Sequence, residues 1–441
     1  MAIDGADALD AYADRMAATG PEALPEALLL LGDQVYADDP APRTRRWLDR
    51  HRDTTAPPGH EVADFTEYSR LYRDSWSDAP LRWLMSTVPT AMIFDDHDVR
   101  DDWNTSAAWR AWITAQAWWP DRIRGALAAY WVYQHIGNLC AQQRQTDPIW
   151  CAVQDAEGDA WPVLRKMADA ADADPSSVRW SYRWDIDGLR LVVMDTRCGR
   201  VLTEGRRAML DDDEFSWVEN AVSEDAHQAE HVLVGSSLPW LLAPALHDVQ
   251  AANEAACARG SALAERIRQA LDLEHWAAFR NSFDRLATLL RGVAVGPRAP
   301  ATISVLSGDV HHSYVARADV DGAPVYQLVC SPVHHSVPWY ATVALRAAWN
   351  AALGKVVRNV VRHYGIPDPA VCWRRVSGPA FGNMVATLMF AGRSAELIVE
   401  HSGRSGRLEP VFHTELTAGA NDPPATEAWG RVINDEGVHR S

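Results

Sequence analysis

The stretch Ala91-Met92-Ile93-Phe94, running into Asp95-Asp96-His97-Asp98-Val99-Arg100-Asp101-Asp102-Trp103-Asn104, decides how the rest of the chain is read. Four apolar residues without alternation suit a strand covered on both faces. Five carboxylates, a histidine and an arginine then fall within positions 95–102. Like charge at that density, at a strand end, is costly unless cations or hydrogen bonds compensate it. The alternative is a solvated acidic loop that binds nothing, and the position between an apolar strand and Trp103 argues against it. Some of these aspartates are expected to be structural, pairing with Arg100 or capping backbone N–H groups.

The same pattern recurs along the chain. Ala27–Leu31 runs into Gly32-Asp33, Leu189–Met194 into Asp195-Thr196-Arg197, and His231–Val234 into Gly235-Ser236-Ser237. Ile303–Leu306 runs into Ser307-Gly308-Asp309, and Val325–Val329 into Cys330-Ser331. Short buried strands separated by long helical stretches predict an α/β layered fold. In such folds ligands bind just past the C-terminal ends of the strands. Asp33, Asp96 and Asp309 all stand at such ends, which points to one assembled site.

Two further segments carry chemistry. In Gly32-Asp33-Gln34-Val35-Tyr36-Ala37-Asp38-Asp39 the glycine allows a sharp turn that presents Asp33, a carboxylate able to bridge two cations. Tyr36 can return to the same side and offer a hard oxygen donor suited to a trivalent metal such as ferric iron. The competing reading is an Asp33 that caps the next helix, with Tyr36 packed in the loop. In Ser307-Gly308-Asp309-Val310-His311-His312-Ser313-Tyr314, Asp309 and His311 alternate, so an extended segment would point both to one side as metal ligands. His312 would face the other way, supporting a ligand or meeting substrate.

Composition bounds the rest. The 441 residues carry 42 Lys plus Arg against 59 Asp plus Glu, a net charge of −17. That balance lacks the basic stripe of a nucleic-acid binder, yet it allows an anionic substrate wherever a cation reverses the local sign. No apolar run is long enough to cross a membrane as a helix, and the first twenty residues lack the basic start and apolar core of a signal peptide. Six cysteines lie far apart with no CxxC, consistent with reduced thiols and a cytoplasmic setting. Residues 1–21 read as a short acidic helical segment, and 22–416 as one large domain. Within that domain, 105–180 reads as a helical insertion capped at Thr105 or Ser106. Its Trp109, Trp112, Ile113 and Trp119 fall on one helical face, expected to pack in the core, with an aromatic wall beside the site as the reading that can coexist with it. Residues 383–400 and 407–416 alternate like a terminal strand pair, and 417–441 read as a loose tail.

Taken together, GDQVYAD, FDDHDVRDDWN, MDTR and SGDVHHSY, in that order over about residues 27–400, resemble the PhoD-like (alkaline phosphatase D) metallophosphatases. The resemblance implies the calcineurin-like phosphoesterase fold, two mixed sheets packed face to face with helices outside in an α/β/β/α order. It implies hydrolysis of phosphate mono- or diesters by a metal-bound hydroxide at a multinuclear site, with iron plus calcium, or zinc or manganese. It casts Asp33 as bridging ligand, Tyr36 as ligand of an iron-type ion, Asp96, Asp309 and His311 as further ligands, and His97 as the catalytic histidine. Arg197 becomes a phosphate contact, and Arg100 and His312 substrate-binding groups.

Two departures stand out. The family's N-terminal domain and a Ser-Cys strand end that binds iron have no counterpart in Met1–Gly20. The expectation therefore divides between a start placed too late, which would reopen secretion, and a truncated relative that binds metal with impaired turnover. The place of the superfamily's fourth-motif histidine reads Gly235-Ser236-Ser237-Leu238-Pro239, whose serines leave a serine hydrolase as a rival; Pro239 breaks the G-x-S-x-G pattern.

Overall fold

A computed structural model describes residues 6–417 apart from 225–227, 297, 334–337 and 404. Its strands are β1 Leu28–Leu31, β2 Thr90–Ile93, β3 Tyr182–Ile186, β4 Leu189–Val193, β5 His231–Gly235 and β6 Thr302–Ser307. They continue with β7 Ser313–Ala318, β8 Val325–Val329, β9 Trp373–Ala380, β10 Met384–Ala391, β11 Ser394–Ser402 and β12 Leu408–Glu415. All six apolar runs form strands. β5, β6 and β8 are buried along their whole length, as strands covered on both faces are.

Seven strands form one mixed sheet in the order β3-β4-β5-β6-β8-β7-β9. Its centre, β4, β5, β6 and β8, is parallel, and β3, β7 and β9 pair antiparallel. One face packs on helices through Val192, Val232, Val234, Ile303 and Val305, against Phe215, Phe283 and Leu286. The other face packs through Leu191, Val193, Leu233 and Leu328 against Ala91, Ile93, Leu397 and Val399. The second sheet layer is thus present but split, into a parallel pair β1-β2 and an antiparallel β10-β11-β12. The expected terminal strand pair is three strands, because residues 383–400 fold back on themselves at Gly392.

The helical region after β2 follows its sequence signals. Ser106 Oγ accepts the Trp109 N–H at 3.1 Å and caps helix Ala107–Thr114. Trp109, Ile113 and Trp119 are buried in the main core, while Trp112 is half exposed. The N-terminal segment is no appendage: helix Ala8–Thr19 packs Leu9, Tyr12 and Met16 against Leu84 and Val88. Its Arg15 holds Glu400 of β11 through two bonds of 2.6 and 2.7 Å. The tail from residue 418 lies outside the described residues.

Candidate metal centre

The ends of β1, β2 and β6 converge on one acidic group. A ligand oxygen from each of Asp33, Asp95, Asp96 and Asp309 lies within 4.8 Å of the others, and Asp33, Asp96 and His97 form a second such set. The chain turns abruptly to achieve this. Gly32 has φ 103° and Asp33 φ 50°, both left-handed. A Cβ on Gly32 would lie 2.7 Å from Asp95 Cβ, so only glycine lets the β1 and β2 ends meet.

The β6 end differs from its sequence reading. Asp309 (φ 65°) and His311 (φ 53°) are left-handed residues of a tight turn, with His311 N–H donating to the Asp309 carbonyl at 2.8 Å. The segment is therefore not extended, and alternation does not explain how these two side chains are aimed. Non-glycine residues at such φ cost on the order of 1–3 kcal/mol each, and Asp33, Asp309 and His311 share that cost at one place.

Charge is unbalanced here. Asp33, Asp95, Asp96, Asp309 and Glu274 face two guanidiniums, Arg197 and Arg200. Arg197 is fully buried, pairing with Asp95 and Glu274, 3.1 Å from Asp96 and 3.8 Å from Asp309. Arg200 holds the other Glu274 oxygen at 2.7 Å. Burial, reinforced by Asp95 and Asp96, pushes the Asp33 carboxyl well above its ordinary value. Burial pushes Asp96 up to about 6 even with Arg197 opposing it. Asp33 Oδ1 and Asp95 Oδ2 are buried and accept no hydrogen bond among the described residues, and Asp96 Oδ1 has the Arg197 guanidinium at 3.1 Å. Orphaned, crowded carboxylate oxygens are a donor set that fits hard cations.

His97 is held from below. Its Nδ1 lies 2.9 Å from Asp38 Oδ2 and its ring stacks on Tyr36, with centroids 4.4 Å apart. Burial alone would push its pKa down; the Asp38 hydrogen bond and the charges of Asp33 and Asp96 outweigh that and raise it to about 11. Tyr36 is in the same field, its phenol pushed up by burial and then by Asp33, Asp96 and Asp309. Asp98 is a structural member of the acidic run, accepting the Asp95 N–H at 3.0 Å, the Gln34 N–H at 3.3 Å and the Gln134 amide at 3.0 Å.

The structure thus brings together Asp33, Tyr36, Asp96, His97 and Asp309. His311 shares the turn of Asp309, and burial lowers its pKa despite that neighbour. Three other expectations change. Arg197 lies beneath the carboxylates as their counter-charge, with its guanidinium engaged rather than presented to a phosphate. Arg100 is committed elsewhere, bonded to both Glu61 oxygens at 3.0 and 3.2 Å and stacked over Trp112. His312 is buried, bonded through Nδ1 to the Val310 carbonyl at 2.6 Å and through Nε2 to Trp349 at 3.3 Å. The serine hydrolase rival also fails. Ser236 and Ser237 are wholly buried, Ser236 donating to the Leu238 carbonyl at 2.6 Å and Ser237 bonding Thr196 at 2.8 Å.

Glu274 and His275 escaped the sequence reading. His275 Nε2 lies 3.2 Å from Asp309 Oδ2, and its Nδ1 is 3.0 Å from the Gln250 amide nitrogen. Both residues come from a loop after helix Ala262–Ala270, where no strand end draws attention to them.

The fold is a split two-layer α/β sandwich whose strand ends gather a group of carboxylates that could hold a metal ion. The chain belongs to the PhoD-like phosphatase family, whose profile matches residues 7–364, and is a phosphoric ester hydrolase. Among solved structures, one titled "Structure of PhoD" aligns with 95% of this chain and 71% of its own at 12% identity and a TM-score of 0.49. The purple acid phosphatase PPD1 from yellow lupin (Lupinus luteus) seeds aligns with 93% of this chain and 50% of its own, at 10% identity and a TM-score of 0.42. No curated protein matches the chain.

Proposed function

We propose that the chain hydrolyses phosphate mono- or diesters at a multinuclear metal site built from Asp33, Asp96 and Asp309. The observation that supports this most is the set of buried oxygens on Asp33 and Asp95 without a hydrogen bond, gathered with Asp96 and Asp309 so that one oxygen of each lies within 4.8 Å of the others. Tyr36 adds a phenol suited to an iron-type ion, and His311 an imidazole from the Asp309 turn. Calcium or manganese suits the carboxylates, and iron with calcium is the combination the family resemblance implies. Bound metal supplies positive charge to phosphate oxygens and acidity to a coordinated water.

The chain's own groups do the remaining work. Asp38 accepts from His97 Nδ1 and so directs Nε2 away from itself, leaving that nitrogen to hold a proton for the leaving oxygen. Arg197 keeps Asp95 and Glu274 paired and prevents the carboxylates from splaying. The test is hydrolysis of p-nitrophenyl phosphate and bis-p-nitrophenyl phosphate by protein supplied with iron, calcium, manganese or zinc, against Asp96→Ala. Activity indistinguishable from that variant under every metal would sink the proposal. Metal binding by calorimetry without turnover would instead support the impaired relative.

A further inference from the structure

Between Asp321 and Asp368 the chain contains no carboxylate side chain, although it carries 59 in all and a net charge of −17. The same segment holds Arg346, Lys355, Arg358 and Arg362, and Lys355 is one of only two lysines. It folds as helices Trp339–Ala348 and Ala351–His363, both packed on helix Pro244–Ala258. Gly354 and Val361 are buried. Leu353, Val356, Val360 and Tyr364 recur at three- and four-residue spacing and are exposed, so they form one outward stripe. The first helix exposes Trp339, Tyr340 and Val343. Trp339 is 79% and Tyr364 72% exposed. Eight of the sixteen exposed large apolar side chains described lie between Val333 and Tyr364, a concentration unlike the single scattered residues of an ordinary surface.

We propose that this helical hairpin docks on the surface of an anionic lipid bilayer. Trp339, Tyr340 and Tyr364 suit the headgroup level, and Val343, Val356 and Val360 the acyl boundary. Arg358 and Arg362 are partly neutralised by Asp248 and Asp368, whereas no ion pair engages Arg346 or Lys355 among the described residues. Those two cations are left to meet lipid phosphates. No described helix is long and apolar enough to cross a membrane, so the hairpin would lie on the surface. Charge favours lipid over a second copy. A two-fold contact through this patch would bring its basic residues toward their own counterparts, whereas an anionic bilayer complements them. The hairpin adjoins the metal centre through Trp349, whose Nε1 donates to His312 beside His311.

The test is flotation with vesicles of phosphatidylcholine and phosphatidylglycerol at about 7:3, with phosphatidylcholine alone as comparison. It uses no substrate and is independent of the catalytic reading. Wild-type protein is expected to float with the anionic vesicles and to be released by high salt. The exposed triple variant Trp339→Ser, Val356→Ser, Val360→Ser should bind at least about tenfold more weakly, with its circular dichroism melt unchanged. Arg346→Glu with Lys355→Glu, which leaves the apolar stripe intact, should weaken binding comparably. Absence of flotation, equal binding to neutral vesicles, or binding unchanged in both variants would overturn the proposal. So would a concentration-dependent dimer, lost in the triple variant, without flotation.

Discussion

Asp38 accepts a hydrogen bond from His97 Nδ1 at 2.9 Å, which fixes the imidazole's orientation and leaves Nε2 as its only other polar atom. Replacing Asp38 with Asn keeps an acceptor but removes the charge that favours a protonated ring. The expected outcome is a fall in kcat of about 10- to 100-fold with KM nearly unchanged, as for other histidines whose carboxylate partner is removed. The acid-assisted limb of the pH–rate profile should shift to lower pH. A purely structural role for Asp38 would instead lower the melting temperature and leave the profile in place.

Arg197 is the buried counter-charge of the centre, touching carboxylates from β2, from the Glu274 loop and from the β6 end. Arg197→Met leaves Asp95 buried without its guanidinium and Glu274 with Arg200 alone, a change that costs about 3–5 kcal/mol in comparable pairs. Arg197→Lys should recover little, because a point-like ammonium cannot serve several partners held by a planar fork. Thermal melts of both variants, with and without millimolar calcium or manganese, check this. Added metal should restore part of the lost stability in the Met variant, since a cation replaces the missing charge; a melt unchanged from wild type would refute the role.

How much of this could be read in the sequence depended on whether a residue's neighbours were local. Asp33, Asp96 and Asp309 each follow an apolar run, so the strand-end rule located them without knowledge of any partner. Ser106 as a helix cap was equally local, written in the residue that precedes the Trp face. Glu274 and His275 were invisible because they reach the centre from a loop between helices, with partners dozens of positions away. The partners of Arg100 and His312 were hidden for the same reason: neither Glu61 nor Trp349 is signalled by the motif that contains them. The antiparallel strands β3, β7 and β9 also went unseen, since charged residues such as Asp185, Arg317 and Arg374 interrupt them.

His247 offers a test of stability against pH away from the metal centre. It is buried between Phe283 and Trp373, and neither ring nitrogen has a hydrogen-bond partner among the described residues. Burial, aided by Arg358 and Arg280, lowers its pKa to about 3 from an ordinary value of 6.5. Between those values the unfolded chain binds the proton and the folded one does not, so stability falls as pH drops from 6.5 toward 3. His247→Phe removes that linkage. The difference in unfolding free energy between variant and wild type should grow by a few kcal/mol from pH 7 to pH 4, on the order of 1.4 per unit. Urea unfolding at both pH values reads it directly, and a difference independent of pH would show that His247 does not titrate as described.

The contact between His275 and Asp309 yields the last prediction. His275 is held on both sides, its Nδ1 3.0 Å from the Gln250 amide nitrogen and its Nε2 3.2 Å from Asp309 Oδ2. Burial pushes the Asp309 carboxyl up, yet the hydrogen bond and charge of His275, and then the Arg197 charge, outweigh it and hold the group below its ordinary value. One oxygen is thereby anchored while Oδ1 stays turned toward Arg197 and the cluster. His275→Ala frees the carboxylate to rotate, and metal affinity should fall about 10- to 100-fold, the usual effect of losing a group that orients a ligand. His275→Gln can place an amide N–H near the Nε2 position and should recover most of that affinity. Calcium or manganese titration by calorimetry separates the two variants. If Ala and Gln bind metal as tightly as the parent, Asp309 needs no such anchor and the pairing is only packing.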